Sequence, residues 1–216
     1  MRAITKGPEP ASLTAHRKTP QCDYDNYPDK SALRHALTTE QRGICCYCMG
    51  RIRNSRATMK IEHWRSQSNH PAEQLTYRNL LGACLGGHGQ PKKLQHCDTR
   101  KGDRDLLWNP ADPAHGVERR LRYEADGTIR SGDADFDLQL YDVLNLNLPV
   151  LRNNRKSVLD AVLNWWRHEK AKIGGAVPRE RFELERARYT YRAADLEPFC
   201  QVAAWWLDQR LARLVR

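Results

Sequence analysis

The spacing of apolar residues changes character several times along this chain. Between Lys30 and Arg42, Leu33 and Leu37 stand four apart with Ser31 near the start, which predicts a short helix. Residues 1–28 before it are rich in Pro and polar side chains and read as an extended arm. Met59, Ile61 and Trp64, with polar residues between them, predict a short strand. Such a strand puts Glu62 and His63 on opposite faces or at its end. RRLRYEADGTIRSGD (119–133) alternates around Asp126-Gly127, the signal of a hairpin.

After Leu148-Pro149 the period becomes helical. Leu159, Val162, Leu163 and Trp166 fall at i, i+3, i+4 and i+7, one face of a helix. Gly174-Gly175 and Pro178 interrupt it, and a second helix is expected over 179–191. A last helix carries Phe199, Val202, Ala203, Trp206, Leu211 and Leu214 as an apolar stripe. There is no internal repeat. The pattern predicts an α+β chain in three stretches: an arm and helix (1–44), a core with a hairpin (45–147) and a helical region (148–216).

Composition changes the picture in two ways. Hydrophobic residues make up 40% of the 216 and charged ones 29%, with a mean hydropathy of −0.78. One domain with an appendage, or two small ones, fits that length. Its core is thin, so help from a metal or a partner is expected. Lys and Arg total 36 against 26 acidic residues, a net charge of +10 spread along the whole chain. Such an excess favours polyanions, because neutralised phosphates release counterions.

No apolar run reaches the ~18 residues of a membrane helix, and MRAITKGPEPASL has no signal core. The expectation is a soluble cytoplasmic protein without membrane contact. Its seven Cys then stay reduced, and clustered ones read as metal ligands.

Five of the seven Cys lie between Cys45 and Asp103. Cys45 and Cys48 form a C-x2-C knuckle, with Cys46 between them expected to point elsewhere. Two thiolates at that spacing can clasp one Zn²⁺ at about 2.3 Å each. Cys84 and Cys97 complete a tetrahedral set, although twelve residues (LGGHGQPKKLQH) separate them. His88 and His96, inside or at the end of that insert, compete as fourth ligand.

Between the two Cys pairs stands Glu62-His63, followed sixteen residues later by Asn79. An imidazole can take a proton from an attacking water. A neighbouring carboxylate can help hold a hard cation that stabilises a pentavalent phosphate. An amide such as Asn79 can set the imidazole tautomer or hold a backbone carbonyl.

This order resembles the HNH (ββα-metal) endonucleases, whose pattern runs C-x2-C, [D/E]-H, N-L and C-x2-C-[H/N]-x2-K over what is here 45–103. The resemblance implies a zinc-stapled ββα-metal nuclease core with a β-hairpin and a mostly helical C-terminal region. It implies His63 as general base, Glu62 as metal ligand or support, and Asn79 as the central Asn. Asp98 stands where the family has a ligating His or Asn. Asp suits Mg²⁺ or Mn²⁺, and His96 is the alternative second ligand. Lys101 is a candidate phosphate contact, against the ordinary reading of a solvated lysine.

A closer similarity, through MRAITKGPEP, TTEQRGICCYC, IEH, NLLGAC, LQHCDTRKGD and VLNLNLPVLRNNR, is to the HNH subunits of Septu antiphage systems and Septu-containing retrons. It implies an effector acting with an ABC/SMC-like ATPase subunit and, in a retron, with a reverse transcriptase and its RNA-linked DNA. DNA is the favoured substrate. RNA such as tRNA and a non-catalytic, zinc-bound nucleic-acid adaptor are the alternatives. The pairs Trp165-Trp166 and Trp205-Trp206 have their rings about 100° apart on a helix. Trp165 and Trp205 are therefore expected at the edge of the buried face, and the tail is a candidate docking surface for the ATPase.

Overall fold

A computed structural model describes residues 1–191 and 194–214. The chain is α+β, with eight α-helices and two two-stranded antiparallel sheets among the described residues. In chain order they are α1 (Ala11–His16), α2 (Lys30–Glu40), β1 (Met59–His63), β2 (Leu80–Cys84), α3 (Cys97–Lys101), α4 (Val117–Arg120), β3 (Leu121–Tyr123), β4 (Ile129–Ser131), α5 (Ala134–Leu138), α6 (Pro149–Ile173), α7 (Arg179–Thr190) and α8 (Cys200–Arg213).

The arm is the first departure from expectation. It contains α1, and Met1, Ile4, Leu13 and Tyr27 are all buried in the core. Scattered apolar residues without a period cannot show that they pack on something distant in sequence. Helix α2 begins where expected, and its cap is Asp29, whose carboxylate accepts from Ala32 N at 3.0 Å. Leu33 and Leu37 form its buried face.

β1 and β2 pair antiparallel, with Met59 opposite Cys84 and His63 opposite Leu80. The short helix α3 packs on β2. Gln41, just after α2, covers the free edge of β2. Its Oε1 accepts from Gly82 N, and its Nε2 donates to Gly82 O (2.7 Å) and Ile44 O (2.9 Å). One buried amide thus satisfies both backbone groups of a strand that has a single neighbour.

The hairpin forms as β3 and β4, its turn fastened by Asp126 Oδ1 accepting from Thr128 N at 2.8 Å. Gly127 at the tip has φ +83°, and a Cβ there would lie 2.0 Å from Arg152 O on α6. Only glycine lets this turn sit against α6. The buried Arg155 locks the contact, donating to Gly127 O (2.6 Å), Leu146 O (2.8 Å) and Asn147 Oδ1 (3.0 Å).

α6 starts with Pro149 in its first turn and ends at Gly174 in the left-handed region, the usual asymmetry of a helix's two ends. α7 and α8 pack on each other, and α8 also touches α6 and β3. The expected stripe of α8 is buried from Phe199 to Leu211, whereas Leu214 is half exposed. Trp165 and Trp205 lie at the edge of the buried face as expected. Trp165 meets Phe182 edge-on and Trp205 meets Tyr123, while Trp166 and Trp206 pair at 6.0 Å. All four rings are at least half covered by the chain itself, so exposed Trp does not mark this tail as a docking surface.

Arm, core and tail share one cluster of buried residues running from Met1 to Leu211. Backbone bonds tie the tail to the core, from Leu196 N to Arg42 O (2.8 Å) and from Phe199 N to Met49 O (3.1 Å). No helix among the described residues is long and apolar enough to cross a membrane.

Replacing Gln41 by Leu keeps the volume, strips Gly82 N of its partner and leaves Gly82 O with the Cys46 N–H alone. Stability should fall by about 2–3 kcal/mol, measured by denaturant unfolding. A loss within experimental error would show that the edge of β2 does not depend on this amide.

Candidate functional site

The four predicted cysteines come together. The knuckle is a tight turn in which Met49 N donates to Cys45 O (3.1 Å), Cys45 N donates to Gly50 O (2.8 Å), and Gly50 N donates to Cys48 Sγ (3.3 Å). Cys84 ends β2, and Cys97 opens α3. The twelve-residue insert between them is a closed loop: His96 N donates to Gly86 O at 2.9 Å, and Thr99 Oγ1 to Leu85 O at 2.8 Å. A Cβ on Gly86 would lie 2.1 Å from His96 O, so the closure requires that glycine.

Cys48 and Cys84 sulfurs are 3.7 Å apart, those of Cys45 and Cys97 3.9 Å, and all four lie within 4.8 Å of one another. Four sulfurs at about 2.3 Å from a common centre would be about 3.8 Å apart. The cluster therefore has the dimensions to hold a metal ion such as zinc.

Cys46 is outside this set of four, and its N–H donates to Gly82 O at 3.0 Å. His88 is exposed on the insert. His96 is closer, with Nδ1 3.1 Å from Cys97 Sγ and 4.0 Å from Cys84 Sγ. It flanks the cysteines, so of the two candidates for the second carboxylate-side ligand only Asp98 stands beside Glu62.

Glu62 is buried in the last turn of pleat before His63 and is held from three sides. Tyr47 OH donates to Oε1 at 2.7 Å, and Lys101 Nζ lies 2.9 Å from the same oxygen. The carboxyl of Asp98 is its hydrogen-bonded neighbour on α3. Burial, then the adjoining Asp98, push the Glu62 carboxyl well above its ordinary range, against the pull of Lys101. Asp98 goes the other way: despite burial, the Glu62 hydrogen bond and the charges of Lys60 and Lys101 hold it low. The two carboxyls thus shift in opposite directions, as neighbouring acidic groups do. Lys60 Nζ is 3.3 Å from Asp98 Oδ2.

Lys101 is 2% exposed and donates to His63 O at 2.7 Å. The reading as a solvated lysine does not hold: its ammonium is buried against Glu62 and His63 O, at the wall of a cleft that it lines with them. Its charge is there to neutralise Glu62.

His63 ends β1 and is buried. Its Nε2 lies 3.0 Å from Gln74 O, and a carbonyl can only accept, so the proton is on Nε2 and Nδ1 keeps its lone pair. Tyr24, from the arm, meets the ring edge-on at 4.5 Å, and its N–H donates to the side chain of Gln74. Burial drives the imidazole down to about 4, so it is a neutral base near pH 7.

Asn79 takes the second of its two expected roles. It does not touch the ring. Its Oδ1 accepts from Arg65 N (2.8 Å), and its Nδ2 donates to Arg65 O (3.0 Å) and Glu73 O (3.2 Å), closing the loop that carries Gln74. Gln74, Tyr24 and Tyr47 were not foreseen. Gln74 acts through its carbonyl, which every residue has, and Tyr24 arrives from a segment without periodicity. Tyr47, inside the knuckle, was the one with a sequence signal.

Glu62, His63, Asp98 and Lys101, with Lys60 and Ser66, line a cleft of about 340 Å³. It joins a neutral imidazole, two carboxyls able to hold a cation, and basic walls. Among known proteins, no family model and no curated sequence matches this chain. The site must be read on its own chemistry.

Two outcomes follow. Metal bound by four thiolates is folding free energy, worth about 10–16 kcal/mol in small zinc peptides. Strong chelation, or Cys48→Ala, should abolish cooperative melting of the strand and α3 region by circular dichroism. Retained cooperative melting in metal-free protein contradicts this.

The second concerns pH. His63 stays neutral in the fold down to about pH 4, whereas in the unfolded chain it takes a proton near its ordinary value of 6.5. Between those values the unfolded state binds more protons, so stability falls as pH falls. Without added divalent cation, the parent should lose about 2 kcal/mol more than His63→Gln between pH 7 and pH 5. Parallel stability curves would rule this out.

Proposed function

We propose that this chain is a metal-dependent phosphodiesterase of the HNH type, cutting nucleic acid, with DNA favoured over RNA. The observation that carries the reading is His63: its Nε2–H is tied to Gln74 O, which leaves Nδ1 its lone pair, and the residue lines a cleft shared with Glu62 and Asp98. A base in this tautomer can take a proton from water through Nδ1. Glu62 and Asp98 would hold a Mg²⁺ or Mn²⁺ ion, whose charge offsets that developing on the phosphate. The adjacency of these carboxyls fits such a role, since a cation between them would offset their mutual repulsion. Lys60 and Lys101 keep the local field positive, and Asn79 positions His63 at one remove by closing its loop. In this reading the four cysteines hold Zn²⁺ and act on folding, not on chemistry.

The antiphage role rests on the Septu-like motifs. In that role the chain works with an ABC/SMC-like ATPase, and in a retron also with a reverse transcriptase and its RNA-linked DNA. RNA, for instance tRNA, is the alternative substrate, because attack by water needs no 2′-hydroxyl.

One observation favours a second reading, a zinc-bound nucleic-acid-binding adaptor without catalysis. Lys101 already neutralises Glu62 at 2.9 Å, and an ammonium so placed competes with a cation. Cleavage assays with Mg²⁺ or Mn²⁺, alone and with the ATPase, separate the two. The parent should cut, and His63→Ala should lose at least about 100-fold while melting like the parent. Equal rates would remove His63 as base. Binding without cleavage under every condition would leave the adaptor.

A further inference from the structure

The tail carries a feature that the catalytic cleft does not use. Trp166 lies on α6, seventeen residues past Pro149 and so roughly 25 Å along the helix axis. It borders two adjoining clefts of about 470 and 410 Å³. The larger has Val177, Phe182 and Leu214 as apolar wall, and the smaller runs over Ala171, Gly174 and Gly175. Both share Trp166, Lys170 and Gly175, and neither shares a residue with the cleft at His63.

The charges around this ring are of one sign. Lys170, Arg210 and Arg213 line the larger cleft, and Arg167 and Lys170 the smaller, with no acidic side chain in either among the described residues. Arg210 lies 4.9 Å from the centre of Trp166 and 4.8 Å from that of Trp206, and Lys170 lies 5.8 Å from Trp166. None of Lys170, Arg210 and Arg213 is in an ion pair among the described residues. Elsewhere in the tail Arg181 is matched with Glu169, Arg186 with Asp208 and Arg188 with Glu185, and the buried Arg155 is held by carbonyls. Cations left unmatched beside an aromatic ring, over two consecutive clefts, fit a ligand that repeats an aromatic face and an anion.

We infer that the Trp166 clefts bind single-stranded nucleic acid, with bases against the aromatic and apolar walls and phosphates on Lys170, Arg210 and Arg213. This deepens the nucleic-acid reading and rests on it. Duplex DNA is excluded from this mode, because its bases are stacked on one another. The mode uses base faces and phosphates, which deoxyribose and ribose strands share, so both are expected to bind.

The test is fluorescence anisotropy of the full zinc-loaded chain with labelled oligo(dT), oligo(U) and duplex DNA. Lys170→Glu with Arg213→Glu alters exposed positions, and Trp166→Leu, checked by melting, removes the ring. Each is expected to weaken both single strands about tenfold and duplex less than threefold. Unchanged single-strand affinity in the folded double variant overturns the proposal. So does an equal loss for duplex, or loss of a co-purifying protein partner with oligonucleotide affinity intact. Cleavage by His63 is read separately. Cutting that persists with an insensitive Trp166 groove would refute this inference alone, and selective loss of strand binding in a chain that never cuts would refute only the catalysis.

Discussion

Four thiols from three separate places must meet at one point, and the rest of the centre of this molecule is arranged around that requirement. Cys45 and Cys48 come from the knuckle, Cys84 from the end of β2 and Cys97 from the start of α3. Their convergence fixes β2 against the knuckle and aims α3 along β2. Without a bound cation, four such groups cannot all be thiolates. Burial and the neighbouring thiols push Cys97 up, whereas hydrogen bonds from those neighbours hold Cys45 low. One divalent ion removes that conflict.

Placing α3 also places Asp98 and Lys101, one and four residues past Cys97. The network of buried Glu62, Lys101 and Tyr47 with half-buried Asp98 and Lys60 is thus a consequence of the cysteine cluster. Such a network is costly to bury and is tolerated only when each member has a partner. Here every charged head has one, and Lys101 spans from Glu62 to the backbone of His63. The cluster and the cleft are therefore coupled through a helix of five residues, and disturbance of the first will be felt in the second.

The tail divides in a similar way. Arg181 and Arg186 neutralise Glu169 and Asp208 on neighbouring helices, and Arg179 and Arg188 pair within α7. Apart from the buried Arg155, which is held by carbonyls, the arginines without an ion pair gather round Trp166 among the described residues. A basic total says that a polyanion is a fitting partner. Only the distribution of unmatched cations says where on the tail it would lie.

Local signals were enough for much of this. The helices of 149–173, 179–190 and 200–213, the hairpin at Asp126-Gly127, the strand ending at His63 and the set Cys45, Cys48, Cys84 and Cys97 were legible, because each depends on spacing or on ligand chemistry. Tertiary structure alone decided that the arm folds into the core, that His96 joins the cysteines and Asp98 joins Glu62, and that Lys101 turns inward. It also decided that Gln74 sets the His63 tautomer through a carbonyl. These depend on which atoms meet across long stretches of chain, and neither composition nor periodicity records such meetings. Residue types announce what chemistry is possible, and the packing of β1, β2 and α3 determines which of them share it.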